Sequence, residues 1–109
     1  MNVESVIYAK QKHFGYIQSV NFQREIEGTD IGRFDIELSL VQYPNETGEV
    51  FRILFEGVCN LKLNSIDNML KVCIFIRDIS ASQCEGVHYY VCDVENELFS
   101  FSCLKISII

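Results

Sequence analysis

The amino-acid sequence predicts a mainly β protein: an antiparallel β-sandwich or strongly curved sheet of seven to eight strands with one or two short helical turns. Two observations predict this class. Apolar and polar residues alternate with period two through most of the chain, as in half-buried strands. Turn-forming residues separate these runs at short intervals. The length of 109 residues suits one domain, so residues 1–109 are expected to form a single β-rich domain.

The N-terminal third contains one ambiguous segment and two predicted strands. Residues 3–12 fit either an edge strand or one to two helical turns. A first strand follows, interrupted at Gln18. The residues expected to share one face of it are Phe14, Tyr16, Val20 and Phe22. After a glycine-containing turn over 25–32, the clearest alternation of the sequence begins at Phe34 and predicts the second strand.

The rest of the chain predicts further short strands. Gly57 is expected to end the strand over 51–56 or to form a bulge in it. The run over 70–77 has few polar outward positions and is predicted to be a central strand. One helical or 3₁₀ turn fits residues 79–86, and 93–97 is a predicted hairpin turn. The alternation slips by one residue near Leu104, which indicates a bulge.

The inward positions of these strands predict the hydrophobic core. Large apolar side chains at alternate positions are expected to face one another between the layers of the sheet. The predicted core consists of Phe34, Ile36, Leu38, Leu40, Phe51, Ile53, Phe55, Val72, Ile74, Val91 and Phe101.

The charge distribution points to a cationic partner or simply to solubility. The net charge is −6, and residues 25–50 carry seven acidic side chains against one basic. Such a chain repels phosphate backbones and anionic lipids, so neither nucleic acid nor membrane is an expected partner. An acidic surface attracts a basic protein. The expected contact residues are first Glu25, Glu27, Asp30, Asp35 and Glu37, and second Asp93, Glu95 and Glu97.

The five cysteines predict free thiols in a reducing cytoplasm. Their number is odd, and no pair has the Cys-x-x-Cys spacing of tight metal sites. A cross-strand contact between Cys59 and Cys73, or between Cys92 and Cys103, stays open. The N-terminus lacks the basic and apolar regions of a signal peptide, which also favours a cytoplasmic protein. No metal and no cofactor are expected.

The sequence contains no recognisable catalytic motif, so the protein is predicted not to be an enzyme. His13 and His88 are the only histidines. Cys84 and His88 are close in sequence, but no third residue is placed to orient the imidazole. There is no glycine-rich phosphate loop and no Gly-x-Ser-x-Gly elbow.

Residues 48–109 resemble a group of small bacterial immunity proteins. The resemblance is carried by Phe51-Arg-Ile-Leu-Phe-Glu-Gly-Val-Cys-Asn-Leu-Lys-Leu63, by Ile76-Arg-Asp-Ile-Ser-Ala-Ser-Gln-Cys-Glu-Gly-Val-His-Tyr-Tyr-Val-Cys-Asp-Val-Glu95 and by Phe99-Ser-Phe-Ser-Cys103. These proteins neutralise the toxin domains of contact-dependent growth inhibition and related polymorphic toxin systems.

The resemblance implies a non-enzymatic cytoplasmic protein that binds one cognate toxin domain, as a monomer or weak dimer. It carries over no functional residues, because immunity proteins meet their toxins through surfaces that differ from pair to pair. Such toxins are often nucleases with basic clefts, which an acidic protein could cover. The alternative is a small-ligand-binding or regulatory β-domain, for which a pocket lined by His88 and Tyr90 would be evidence.

Overall fold

The described residues form a single antiparallel sheet with one short helix, and the mainly β fold is the one that the sequence predicts. The computed structural model describes residues 2–24, 33–64, 71–80 and 87–109. Within these ranges, seven strands form one sheet that does not close into a barrel. The elements are α1 (Val3–Lys10), β1 (Tyr16–Gln23), β2 (Phe34–Val41), β3 (Phe51–Leu63), β4 (Ile74–Asp78), β5 (Tyr89–Asp93), β6 (Phe99–Cys103) and β7 (Lys105–Ile108).

The strand β3 joins the two halves of the sheet. The strand order is β1-β2-β3-β6-β5-β4, and β7 also pairs with β3. The edge of β3 opposite β2 therefore pairs with β7 over its first half and with β6 over its second half. The chain leaves β6 and enters β7 at Leu104, whose N–H donates to the Glu56 carbonyl at 2.9 Å. This break confirms the irregularity predicted near Leu104 and Lys105.

The N-terminal segment is a helix, which resolves the ambiguity of residues 3–12. The Asn2 side chain accepts a hydrogen bond from the Ser5 N–H at 2.9 Å and so caps the helix. Glu4 in the first turn and Lys10 in the last turn both complement the helix dipole. Ile7 is fully buried and joins the core of the sheet.

The prediction that residues 70–77 form a central strand is wrong. Of these residues, 71–77 are described; β4 lies at the end of the strand order and pairs with β5 alone among the described strands. Side chains of α1 and the residue after it satisfy its outer edge. The Tyr8 hydroxyl donates to the Ile76 carbonyl at 3.0 Å and accepts from the Ile76 N–H at 2.9 Å. The Gln11 amide pairs with both backbone groups of Ile74 in the same way. Side-chain hydrogen bonds thus protect an edge that would otherwise invite pairing.

A bulge in β1 changes which residues face the core. Ile17 pairs with Leu40, but Ser19 pairs with Ser39, so Gln18 is the extra residue. Ile17 therefore shares the core-facing side of β1 with Val20 and Phe22, and the prediction that Tyr16 lies on the same face as Val20 and Phe22 is wrong. Phe22, at the far end of this side, is 50 % exposed. The ring of Tyr16 instead packs against Tyr43, with their centroids 5.6 Å apart.

The predicted core is largely confirmed. Ten of the eleven predicted residues are buried, and Phe34 is half-buried. The rings of Phe55 and Phe101 meet edge to face at 5.0 Å, which joins the two halves of the sheet at the centre. Further apolar residues are buried outside the predicted set. They include Ile7 on α1, Val58 after the bulge in β3, Leu98 before β6 and Ile106 on β7.

Gly57 forms a bulge and does not end its strand. Phe34 pairs with Val58 and Ile36 pairs with Phe55, so two residues of β3 stand opposite Asp35. The Asp35 carboxylate accepts a hydrogen bond from the Gly57 N–H at 3.1 Å. Gly57 has a φ of +67°, a conformation that side chains with a Cβ rarely adopt. Strict alternation from Phe55 would place Gly57 on the buried face. The bulge places Val58 there instead.

Substitution of Gly57 by alanine is expected to destabilise the fold more than substitution of Gly48. Both glycines have positive φ, so each alanine should cost about 1–2 kcal/mol in backbone strain. At Gly57 the new Cβ would also lie 2.9 Å from the Leu104 Cβ, whereas at Gly48 nothing lies within 4 Å. Urea denaturation of Gly57→Ala and Gly48→Ala measures the difference. Equal losses would show that Leu104 moves aside without penalty.

Candidate functional site

The acidic residues predicted to bind a partner occupy two regions of the described structure. Asp35 and Glu37 lie on β2, while Asp93 ends β5 and Glu95 and Glu97 follow it in the β5–β6 turn. Glu25, Glu27 and Asp30 lie outside the described residues. The three members of the second group lie close together because they are adjacent in the chain.

Asp93, one of the predicted contact residues, is buried. Its side chain is only 2 % exposed. One carboxylate oxygen accepts from the N–H groups of Cys73 at 2.9 Å and Glu95 at 3.4 Å. The other accepts from the N–H groups of Asn96 at 3.3 Å and Leu98 at 3.2 Å. Asp93 thus organises the turn from beneath and presents no free oxygen to a partner.

The turn over residues 94–97, called the acidic turn below, is held in one conformation by its neighbours. The Asn96 side chain donates to the Lys71 carbonyl at 3.0 Å. The Asn64 N–H donates to the Leu98 carbonyl at 2.9 Å, and its side chain donates to the Glu97 carbonyl. Glu95 and Glu97 remain exposed. Because the backbone is already ordered, a partner that binds these carboxylates need not order the turn.

Asp35 and Glu37 lie on an ordinary solvated sheet surface. Both are half-buried, and Asp35 is engaged with the bulge at Gly57. In the paired strands, Glu37 stands between Asn21 and Leu54. The outward side chains of this half of the sheet, called the polar face below, are Tyr16, Ser19, Asn21, Gln23, Asp35, Glu37, Ser39, Val41, Arg52, Leu54, Glu56, Lys105 and Ser107.

The outward surface of the other half has a different character. Phe75 on β4 is 44 % exposed, although it sits in a regular strand. The Arg77 guanidinium lies 5.7 Å from the centroid of the Tyr90 ring on the neighbouring strand. Two rows of paired residues cross this half of the sheet. The outward side chains, called the aromatic face below, are Phe75, Cys92, Ser100 and Lys62 in one row and Arg77, Tyr90, Ser102 and Cys59 in the other.

The sequence contains a signal for the aromatic face, in the residues at the outward positions of β4 and β5. Along β4, Phe75 and Arg77 alternate with Ile74 and Ile76 and so lie on the other side of the strand. Tyr90 alternates with Val91 in the same way. A phenylalanine at an outward position is the unusual feature, since outward positions of a half-solvated strand are normally polar. Because few of these outward positions are polar, the pattern predicts a central strand, and Phe75 is not predicted to be exposed.

A depression of about 440 Å³ lies between the aromatic face and the acidic turn. Tyr90 and Cys92 line it from β5, Val94 and Glu97 from the turn, and Lys62 from β3. His88 does not line it, so this depression is not the pocket of His88 and Tyr90 that the ligand-binding alternative anticipates.

The apolar groove between the halves of the sheet is too narrow for a small-molecule ligand. It is lined by apolar residues of β1, β2, β3 and β6, with Phe55 and Phe101 among them. Its volume is about 20 Å³, whereas ligand pockets usually enclose about 300–1,000 Å³. The groove is therefore part of the packing between strands.

Four of the five cysteines lie in the described residues, and all four are free thiols. Cys59 is a neighbour of Cys103, and Cys73 is a neighbour of Cys92. Neither contact left open by the sequence is made by direct strand pairing. Cys59 lies on β3, which does not pair with β4, the strand that follows Cys73. Cys92 stands opposite Ser100, whereas Cys103 stands opposite Tyr89. Burial raises the pKa of Cys103 to about 12 and also raises the pKa of Cys92.

Within the described ranges, no group of three or more His, Cys, Asp or Glu side chains is placed to hold a metal ion. The segment predicted as a helical turn over 79–86 is described only at its first two residues, and Cys84 lies outside them. In the described part of the chain, no helix is long and apolar enough to cross a membrane.

Comparison with known proteins identifies the family. Residues 2–108 match the family described as Immunity protein PIM8. No curated protein and no solved structure matches the chain. The match covers nearly the whole chain, including residues 2–47, for which the sequence alone suggested no relationship. The chain therefore belongs to the PIM8 family of immunity proteins, which implies a toxin-neutralising role and a cognate toxin protein as its partner.

Proposed function

We propose that this protein inactivates one cognate bacterial toxin domain by stoichiometric binding in the cytoplasm, without catalysing a reaction. The toxin belongs to a contact-dependent growth inhibition or related polymorphic toxin system, and it is a nuclease with a basic cleft. Membership of an immunity protein family over residues 2–108 is the observation that carries the proposal.

The chemistry of the thiols supports a non-catalytic mechanism. A nucleophilic cysteine needs a pKa lowered by a nearby positive charge or a helix N-terminus. Burial instead raises the pKa of Cys92 and of Cys103, so both thiols are held in the protonated, unreactive form. His13 and His88, the two histidines of the chain, are both exposed side chains.

The charge of the protein supports a basic toxin. The net charge of −6 favours encounter with a cationic surface and speeds its association. The acidic turn presents Glu95 and Glu97 on a backbone fixed by Asp93. A nuclease must attract a phosphate backbone, so its cleft is basic and complements this surface.

The free thiols support action in the cytoplasm. An odd number of cysteines, four of them seen as free thiols, suits a compartment that keeps thiols reduced. A nuclease toxin would also reach its nucleic acid substrate there, so protection requires the immunity protein to be present in the same compartment.

Co-expression with the toxin domain encoded beside this protein tests the proposal. Cells that produce both proteins should survive and keep their nucleic acids intact, whereas the toxin alone should kill. A toxin domain from an unrelated system is the control and should kill in both cases. Death of cells that contain abundant folded immunity protein would contradict the proposal. Survival with intact toxin bound would support it.

A further inference from the structure

We infer that the toxin docks on the aromatic face and the adjoining acidic turn, with Phe75, Arg77 and Tyr90 at the centre of the contact. This inference rests on the proposed function, in that it requires direct binding of a toxin. It differs from the expectation drawn from the sequence, in which the acidic residues of the N-terminal half come first.

The composition of the two outward surfaces distinguishes them. Protein interfaces are enriched in aromatic residues and arginine at their centre, and depleted in Glu, Asp and Lys. The polar face carries Asp35, Glu37 and Glu56 near its centre, and its aromatic side chain, Tyr16, lies at the start of β1, where it packs against Tyr43. The aromatic face places Phe75 in solvent and stacks Arg77 on Tyr90. Residues of these types supply most of the binding energy when a partner buries them.

The aromatic face is rigid before a partner arrives. Its central side chains, Phe75, Arg77 and Tyr90, project from β4 and β5, which pair in continuous antiparallel register. Directly beneath them, Ile74, Ile76, Val91 and Phe101 are buried in the core. The contact of Arg77 with Tyr90 restricts a long flexible side chain. A prearranged surface loses little conformational entropy on binding.

The depression beside Tyr90 fits a basic side chain of the toxin. Its apolar lining from Tyr90, Cys92 and Val94 can receive the methylene groups of an arginine or lysine. Glu97 lines the same depression and provides a carboxylate for the charged end. Lys62 is also in the lining, so the cationic group is expected to lie toward Glu97 and away from Lys62.

The same charge argues against a second copy of this chain as the occupant. Two copies, each with a net charge of −6, repel one another, whereas a basic toxin is attracted. The aromatic face is thus assigned to a toxin surface that is apolar at its centre and basic where it meets the acidic turn.

The first test measures the dissociation constant and the dissociation rate of the purified complex. Phe75→Ala and Arg77→Ala are each expected to weaken binding by about 30-fold or more, mainly through faster dissociation. Matched controls are Tyr43→Ala, which removes an aromatic ring that is 66 % exposed elsewhere, and Arg52→Ala on the polar face. Both controls should bind within about twofold of the wild type, since changes outside the contact are nearly neutral.

The outcomes separate the inference from the proposed function. If the wild-type protein does not bind the toxin, the proposed function fails. If the wild type binds and Phe75→Ala and Arg77→Ala behave like their controls, the docking surface is wrong. Loss of binding only on charge reversal of Glu25, Glu27 and Asp30 would also overturn it. The docking surface would also be wrong if sedimentation experiments showed a dimer that Phe75→Ala dissociates, because a second copy of the chain would then occupy the aromatic face.

The second test addresses the acidic turn. Glu95→Lys with Glu97→Lys is compared with Glu46→Lys with Glu49→Lys, which makes the same change in net charge on exposed residues of the β2–β3 connection. At low salt the first pair is expected to slow association by about tenfold or more, and added salt should reduce the difference. Equal slowing by both pairs would show that only the overall charge matters and would remove the acidic turn from the contact.

Discussion

Replacement of Phe55 by alanine is expected to lower the free energy of unfolding by about 3–5 kcal/mol. Phe55 is fully buried on β3, where it pairs with Ile36 on one side and Ile106 on the other. Its ring meets that of Phe101 edge to face at 5.0 Å. Truncation would leave a cavity at the place where the two halves of the sheet join. Since domains are stable by about 5–15 kcal/mol, much of the total stability would be lost.

Urea denaturation followed by circular dichroism measures this loss. Phe75→Ala is the matched control, because it removes the same atoms from a side chain that is 44 % exposed in a strand of the same sheet. It is expected to change the free energy of unfolding by about 0.5 kcal/mol or less. A loss below about 1 kcal/mol for Phe55→Ala would contradict the placement of the core.

Replacement of Asp93 by alanine is expected to cost about 3 kcal/mol or more. The carboxylate accepts four backbone N–H groups, from Cys73, Glu95, Asn96 and Leu98. Hydrogen bonds to charged groups contribute about 1.5–3 kcal/mol, and an unpaired buried donor costs about 1–3 kcal/mol. Because the four bonds share one carboxylate, their contributions are not additive. Loss of Asp93 should also free the acidic turn.

Hydrogen exchange of the Leu98 amide measures the second effect, and urea denaturation measures the first. Asp93→Asn keeps the shape and one acceptor oxygen, so it should fall between the wild type and Asp93→Ala. Glu97→Gln also replaces a carboxylate by an amide, but on an exposed side chain, so it is expected to leave the free energy of unfolding nearly unchanged. Unchanged exchange at Leu98 in Asp93→Ala would show that other contacts hold the turn.

Much of the fold could be predicted because alternation reports burial directly. Phe51, Ile53 and Phe55 alternate with half-exposed or exposed residues, and the sheet buries them as expected. The alternation fails where a bulge adds a residue, as at Gln18 in β1 and at Gly57 in β3. Each bulge moves the buried set by one position, and its location depends on the neighbouring strand, which sequence does not identify.

The order of the strands is the main property that the local pattern did not reveal. β4 has apolar residues on both sides, a pattern typical of a central strand. Here Ile74 and Ile76 are buried and Phe75 is exposed. Tyr8 of α1 and Gln11, the residue after the helix, form hydrogen bonds with the outer edge of β4. These contacts join residues more than 60 positions apart in the chain. Strand order also separates Cys59 from Cys73, a cross-strand contact that the sequence left open.

The acidic residues illustrate the same limit at the candidate site. A carboxylate in a predicted turn is normally solvated, and Glu95 and Glu97 are exposed as expected. Asp93 differs because it accepts an N–H from Cys73, which precedes β4 and is distant in sequence. Three of its four hydrogen bonds are local to the turn, and the fourth requires the pairing of β4 with β5. The aromatic face likewise exists only because β4, β5 and β6 are neighbours.

The most direct test of the account is a titration of toxin activity with the purified immunity protein. A fixed concentration of toxin domain, well above the dissociation constant, is assayed on nucleic acid with increasing immunity protein. Stoichiometric binding predicts a linear loss of activity that is complete at one immunity protein per toxin. Recovery of active toxin after the complex is dissociated in denaturant and refolded would show that the toxin is unmodified. Complete inactivation of many toxin molecules by one immunity protein would contradict the account, because it would require catalysis.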